Sequence, residues 1–388
     1  MQLSTRQQRL GTETAFETLA KAKKLEAQGK DIVHLEIGEP DFDSPDHVIQ
    51  AAKKALDDGF THYGPSAGQQ ELREAIAIHQ GEFNGYSISP ERVIVTPGGK
   101  PVMFFSILAL IEKGDEVIYP NPGFPIYESM INYAGGTPIP MKLEESKNFN
   151  ANIDDLKKLI TSKTKMMIIN SPNNPCGSVT SVEDLEEIAK IAVENDIIVL
   201  SDEIYKDMYY EGEHYSITKF DGMKERTIIL DGFSKSYAMT GWRLGYGIFP
   251  EFMIEDVTKL MTNSVSCTSV FSQMAAIAAL EGPKDFTINM MEKFKIRRKI
   301  VVDGLNSIDG INCRTPLGAF YAFPNISNTG LSSSDFAEIA LNKYGVALLS
   351  GTAFGEYVDD YIRISFANSE ENLSKSIDRL SQMIKDLK

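Results

Sequence analysis

Lys165-Met166-Met167-Ile168-Ile169-Asn170-Ser171-Pro172-Asn173-Asn174-Pro175 and, further on, Ile197-Ile198-Val199-Leu200-Ser201-Asp202-Glu203-Ile204-Tyr205 decide the fold. Each is a short apolar run that stops abruptly at polar residues. Between them, Asp184–Glu194 carries apolar residues at helical spacing. Two nearly continuous apolar strands joined through a helix form a βαβ unit whose strands are covered on both faces.

The same alternation spreads outward from this unit. Arg92–Thr96, Glu116–Tyr119, Thr227–Asp231 and Leu244–Phe249 read as further buried parallel strands, and Pro101–Ile111 as a helix with proline near its first turn. The predicted class is therefore α/β, with a large domain of mostly parallel sheet and crossover helices. After residue 285 the character changes. Met291–Asp303 reads as a long helix, Gly318–Phe323 and Tyr361–Phe366 as short strands, and Glu370–Leu387 as a closing amphipathic helix. At 388 residues the chain exceeds one comfortable core. The expected division is 46–285 for the large domain, with 1–45 and 286–388 forming a smaller α+β domain.

Composition narrows the function classes. With 42% hydrophobic and 24% charged residues the chain reads as an ordinary soluble protein. A net charge of −15 argues against nucleic acid or anionic lipid as partner. Cys176, Cys267 and Cys313 form no CxxC pair, and the five histidines lack ligand spacing, so neither disulfides nor a metal site is expected. Residues 1–11 are polar, without signal-peptide character, and the apolar run Met103–Ile111 is too short to span a bilayer. A cytoplasmic protein is expected.

In an open parallel sheet ligands bind beyond the carboxyl ends of the strands. The expected strands run into Thr96-Pro97-Gly98-Gly99-Lys100, Asn121-Pro122-Gly123-Phe124, Ser171-Pro172-Asn173-Asn174-Pro175, Asp202-Glu203-Ile204-Tyr205 and Gly232-Phe233-Ser234-Lys235. Such loops converge on one crevice. Glycines leading into a helix suit a phosphate, although taken alone they fit a plain strand-to-helix turn equally well. Neither the GxxxxGK[ST] nor the GxGxxG spacing occurs there or at Gly241–Gly247. Lys235 ends a buried strand, where an ammonium must be paired or lose its proton; a neutral lysine attacks aldehydes. Ser234 and Arg243 beside it suit a phosphate dianion. Asp202 could keep a pyridine nitrogen protonated and Tyr205 could donate to a phenolate-like oxygen, though a helix cap and a packing tyrosine are the plainer roles. Phe124 could stack on a ring or simply pack.

Together, Gly38-Glu39-Pro40-Asp41-Phe42, Asn173-Asn174-Pro175-Cys176-Gly177, Ser201–Tyr205, Ser234–Arg243 and Arg363 resemble the class I/II aminotransferase family of fold-type-I pyridoxal-phosphate enzymes. The nearest branch is the prokaryotic aspartate aminotransferases. The resemblance implies pyridoxal 5′-phosphate held covalently by Lys235, which also moves the substrate's Cα proton. It implies Asp202 at the pyridinium, Asn174 and Tyr205 at the ring oxygen, and Phe124 on the ring face. Gly99, Lys100, Ser234 and Arg243 would hold the phosphate, with Tyr63 supplied by a second copy in a homodimer with shared sites. Arg363, Gly38 and Asn174 would hold the substrate α-carboxylate.

Two positions depart from the branch: Cys176 replaces a threonine, and Ile37 stands where many aspartate-specific members have a small residue. Lys100 matches a lysine that meets a distal carboxylate in aspartate/prephenate members. Aspartate or glutamate is therefore the expected donor, with neutral or aromatic amino acids as the alternative. A fold-type-I C–S lyase is a rival reading, and a DNA-binding regulator built on this domain is another, which the acidic composition disfavours.

Overall fold

A computed structural model describes residues 3–387. In chain order its strands are β1 (Val33–His34), β2 (Val93–Thr96), β3 (Glu116–Asn121), β4 (Thr137–Glu144), β5 (Asn150–Ala151), β6 (Thr164–Asn170), β7 (Ile198–Asp202), β8 (Thr227–Gly232), β9 (Gly245–Ile248), β10 (Tyr321–Ala322), β11 (Val346–Ala347), β12 (Leu349–Ser350) and β13 (Ile362–Ser365). Strands β2 to β9 form one eight-stranded sheet in the order β2-β9-β8-β7-β6-β3-β4-β5. The fold is α/β, as expected.

Side chains alternate across a strand, and β6 shows what that requires of its sequence. Met167 and Ile169 pack against Leu185, Ile188, Ala189 and Ala192 of the 182–194 helix. Met166 and Ile168 pack on the opposite face with Val102, Ile107, Met130 and Ile131 from the 100–110 and 126–134 helices. Both faces are buried, which is why the run is apolar without alternation. The 182–194 helix begins where the Ser181 hydroxyl accepts a hydrogen bond from the Asp184 N–H at 3.0 Å.

Two expectations for this sheet change. The Leu244–Phe249 run is not a parallel strand: β9 lies antiparallel to both β8 and β2. Residues 233–244 fold as turns with no crossover helix, so the chain doubles back and Gly232 pairs with Gly245. β4 escaped notice because Pro138 and Pro140 interrupt it. It lies near the sheet margin, paired to β3 along its length but to β5 only at Leu143 and Glu144, where prolines are tolerated.

The later region packs a 285–306 helix, longer than expected, against the 370–387 helix. Beneath them β10, β13 and β12 make an antiparallel sheet, while β1 pairs in parallel with β11. Phe294, Phe320, Phe336 and Phe366 centre this core, which also takes in Tyr205 and Met208 from the loop after β7. Among the described residues no helix is long and apolar enough to cross a membrane.

A buried ion network ties that loop to β8. The Lys206 ammonium lies 3.0 Å from both Asp207 and Asp231. Asp231 also accepts from the Tyr246 hydroxyl at 2.7 Å and the Gln80 amide at 2.8 Å, while Asp207 accepts from Ser236 at 2.7 Å. Burial alone would drive Lys206 toward neutrality, but Asp207 and Asp231 outweigh it and raise its pKa above the usual lysine value. Removing the cation leaves the buried Asp231 carboxylate and the partly buried Asp207 carboxylate without their counter-charge. Lys206→Met should therefore destabilise the protein by about 3–5 kcal/mol, read from the urea midpoint. A loss below about 1 kcal/mol, the size of an exposed pair, would show that the network carries no such weight.

Candidate active site

Parallel β3, β6, β7 and β8 end at the same side of the sheet, so their carboxyl-terminal loops meet. Asp202 is the last residue of β7 and is buried. Its Oδ2 accepts from the Tyr127 hydroxyl at 2.6 Å and its Oδ1 from the Ile204 N–H at 3.2 Å. Burial pushes its carboxyl up to about 6; Tyr127 and the Ile204 N–H pull it back, while Asp231 and Glu203 add to the rise. A carboxylate in that state gains from a cationic partner, such as the N–H of a protonated pyridine.

Lys235 lies in the turn that follows β8, the turn that reverses the chain into β9. Its ammonium donates to the Gly38 carbonyl at 2.5 Å and stands 5.9 Å from the Tyr205 ring centroid and 5.8 Å from that of Phe320. Burial lowers its pKa to about 8, against the pull of Glu39 and with help from Arg363 and Arg243. A substantial neutral fraction near physiological pH makes it a competent nucleophile toward an aldehyde. Gly38 must be glycine: a Cβ there would lie 3.1 Å from Tyr321 Cζ and closer still to its hydroxyl.

Arg363, on β13, is buried. It donates to Asn174 Oδ1 at 3.2 Å and to the Glu36 carbonyl, and its Cζ lies 4.6 Å from the Tyr321 ring centroid and 4.9 Å from that of Phe354. Its Nε has no hydrogen-bond partner although buried. Asn174 is held in turn, its N–H donating to Asn170 Oδ1 at 2.9 Å. The Tyr205 hydroxyl is 2.8 Å from that of Tyr321.

An anion cradle sits at the edge of these groups. The 100–110 helix starts at Lys100 with Gly99 as its cap residue, offering the positive end of its dipole. Gly98 has φ +87°, and a Cβ on it would lie 3.0 Å from Arg243 Cζ, so the missing side chain lets the guanidinium close over the loop. Arg243 itself has φ +55° and donates to the Thr240 carbonyl at 2.8 Å. Ser234, next to Lys235, is buried. An aldehyde-reactive lysine, a buried carboxylate suited to a ring nitrogen and a cradle suited to phosphate together fit pyridoxal phosphate.

Not every expected residue joins this group. Tyr63 is 90% exposed. Phe124 meets Tyr127 edge-on at 5.7 Å, with the Lys100 ammonium 5.6 Å from its ring centroid. The Lys100 ammonium is also ion-paired with Glu13 and stands 5.9 Å from the Phe16 ring centroid. The N-terminal arm therefore reaches the site. Tyr127, Tyr321, Glu13 and Glu36 were not foreseen; Tyr127, three residues after Phe124, was the nearest to visible.

A family model for aminotransferases of class I and II matches residues 30–380. An aspartate aminotransferase of Pyrococcus abyssi is 44% identical over 363 residues, covering 92% of this chain and 93% of its own. The aromatic-amino-acid aminotransferase 2 of Thermococcus litoralis is 41% identical over 367 residues, covering 93% and 94%. The solved structure of aspartate aminotransferase from Thermus thermophilus with maleate superposes with a TM-score of 0.95 at 38% identity, covering 98% of this chain and 99% of that one. With the lysine, the carboxylate and the anion cradle already assembled at the sheet's carboxyl edge, the chain belongs to the class I and II aminotransferases, pyridoxal-phosphate-dependent enzymes that move an amino group between an L-amino acid and a 2-oxo acid.

Proposed function

We propose that this enzyme works on the acidic amino acids aspartate and glutamate, and that Lys235 is its catalytic lysine. The observation that carries the lysine's assignment is its placement in the turn after β8, where its ammonium donates to the Gly38 carbonyl at 2.5 Å and stands 5.9 Å from the Tyr205 ring centroid, with burial lowering its pKa to about 8. Bound pyridoxal phosphate supplies an aldehyde for the amino group and a ring that absorbs the negative charge left at the substrate's Cα. Asp202 keeps the ring nitrogen protonated, while Asn174 and Tyr205 hold the ring oxygen and Phe124 covers a ring face. The backbone of Gly99 and Lys100, with Ser234 and Arg243, holds the phosphate. Arg363, with Gly38 and Asn174, grips the substrate α-carboxylate and sets Cα within reach of Lys235, which takes and returns the proton there.

The surrounding assignments follow the same reading. Residues 46–285 form the cofactor domain, and 1–45 with 286–388 form the smaller one that carries Arg363. The three free cysteines accord with work in the cytoplasm. Tyr63, exposed in one chain, serves the phosphate of a second copy, making a homodimer with shared sites.

Preference for an acidic side chain rests on Lys100, the cation at the site's N-terminal side, and on the Pyrococcus and Thermus relatives named for aspartate. One observation favours neutral or aromatic donors instead: Glu13 already neutralises Lys100, beside the apolar Phe16 and Phe124 rings. A distal carboxylate must therefore displace Glu13.

Borohydride reduction of the holoenzyme should fix the cofactor on Lys235 alone, and Lys235→Ala should abolish transamination; label on another lysine would remove the assignment. Sedimentation should find a dimer, and a fully active monomer would contradict the shared site. For the side chain, kcat/KM should be compared for aspartate, glutamate, alanine and phenylalanine. Lys100→Ala should lower the acidic pair by about tenfold or more, in keeping with an unpaired buried carboxylate costing several kcal/mol, and leave alanine within about threefold. Glu13→Gln should raise the acidic pair. Equal losses across all four donors would leave Lys100 to the phosphate loop alone.

A further inference from the structure

We propose that Glu36 and His34 are positioning residues for Arg363: His34 keeps Glu36 from competing with the substrate carboxylate for that guanidinium. This rests on Arg363 being the α-carboxylate clamp. The three residues are joined through neighbouring strands. Arg363 of β13 donates to the Glu36 carbonyl, and the Ser365 N–H of the same strand donates to the Leu35 carbonyl at 2.9 Å. The backbone that carries Glu36 is thus part of the clamp's own support.

The Glu36 side chain is fully buried. Its Oε1 lies 2.8 Å from His34 Nδ1, while its Oε2 has no hydrogen-bond partner. Its charge also acts on Arg363. This buried carboxylate is bonded to the imidazole and acts through space on the guanidinium that its own backbone carbonyl holds. With His34 protonated, the His34–Glu36 pair is neutral and Arg363 presents a full positive charge to an incoming carboxylate. With His34 neutral, the Glu36 charge offsets part of the Arg363 charge, and the clamp's attraction for an anion falls.

The groups facing His34 are few. Glu26, on the 14–26 helix, lies 3.0 Å from Nε2 and is well exposed, so solvent screens it more than Glu36. The neighbouring β11 brings only Val346 and Ala347. On the C-terminal helix, Lys375 and Arg379 are engaged with Asp31, and Asn368 donates to the His34 carbonyl at 2.9 Å. On the far side, Arg363 also feels Glu13. Burial works to lower the His34 pKa, but Glu36 and Glu26 outweigh it and raise it above the usual imidazole value. The imidazolium therefore persists to higher pH than in a free histidine and is lost as pH rises through that raised value.

The test is the dissociation constant of the holoenzyme for two unreactive acids, maleate and 3-phenylpropionate, measured by titration calorimetry between pH 6 and 9. Wild type is compared with Glu36→Gln and His34→Gln as a ratio at each pH, so that pH effects common to the three proteins cancel. Glu36→Gln should match wild type at pH 6 and bind about tenfold tighter at pH 9, the size of one pKa unit of coupling. His34→Gln should bind about tenfold more weakly at pH 6 and approach wild type at pH 9. The double variant should behave like Glu36→Gln. A merely structural role would weaken both single variants alike at every pH, and ratios flat across the range would overturn the proposal. Arg363→Ala serves as the control: if it binds both acids as tightly as wild type, the clamp assignment itself falls, whatever the Glu36 ratios show.

Discussion

Burying a charged group costs several kcal/mol unless a partner meets it, and this enzyme buries Asp202 at the carboxyl end of the main sheet, Arg363 on the smaller sheet, and much of Lys235 in the turn after β8. Much of the surrounding structure answers that cost. Asp202 is met by Tyr127 and a backbone N–H, Arg363 by Asn174 and a backbone carbonyl, and Lys235 by the Gly38 carbonyl. None of these partners is an oppositely charged side chain. The charges are therefore satisfied enough to fold and unsatisfied enough to bind, which is what shifts Asp202 up and Lys235 down toward the working range.

A second layer of charge is treated the opposite way. Lys206, Asp207 and Asp231 are matched with each other and with Ser236, Tyr246 and Gln80. This network spans the loop that holds Asp202 and Tyr205 and the turn that holds Lys235. Its full pairing makes the two loops one unit, so the reactive groups keep their spacing while remaining under-paired themselves.

How much of this could be read beforehand depended on distance along the chain. Loop chemistry at the ends of β2, β3, β6, β7 and β8 was legible because each apolar run stops where polar residues begin. Lys235 and Asp202 stood out for that reason. Tyr321 and Glu36 did not, since Tyr321 meets Tyr205, and the Glu36 backbone meets Arg363, from segments far away in sequence, and each looks like an ordinary packed or surface residue in its own neighbourhood. The direction of β9 was illegible too: a strand covered on both faces is equally apolar whether it runs with its neighbours or against them. Pro138 and Pro140 hid β4, because a marginal strand tolerates what a central one cannot.

By itself the chain's order of residues determined the class of fold, most strands of the main sheet, and which loops follow their ends, because periodicity and strand ends are local properties. Only the tertiary structure decided that Glu13 covers Lys100, that Glu36 and His34 stand behind Arg363, and that the turn bearing Lys235 sends β9 back against its neighbours. Those outcomes are set by which distant groups end up sharing a low-dielectric space, and the energy of a buried charge depends on that neighbourhood rather than on the residues beside it in the chain.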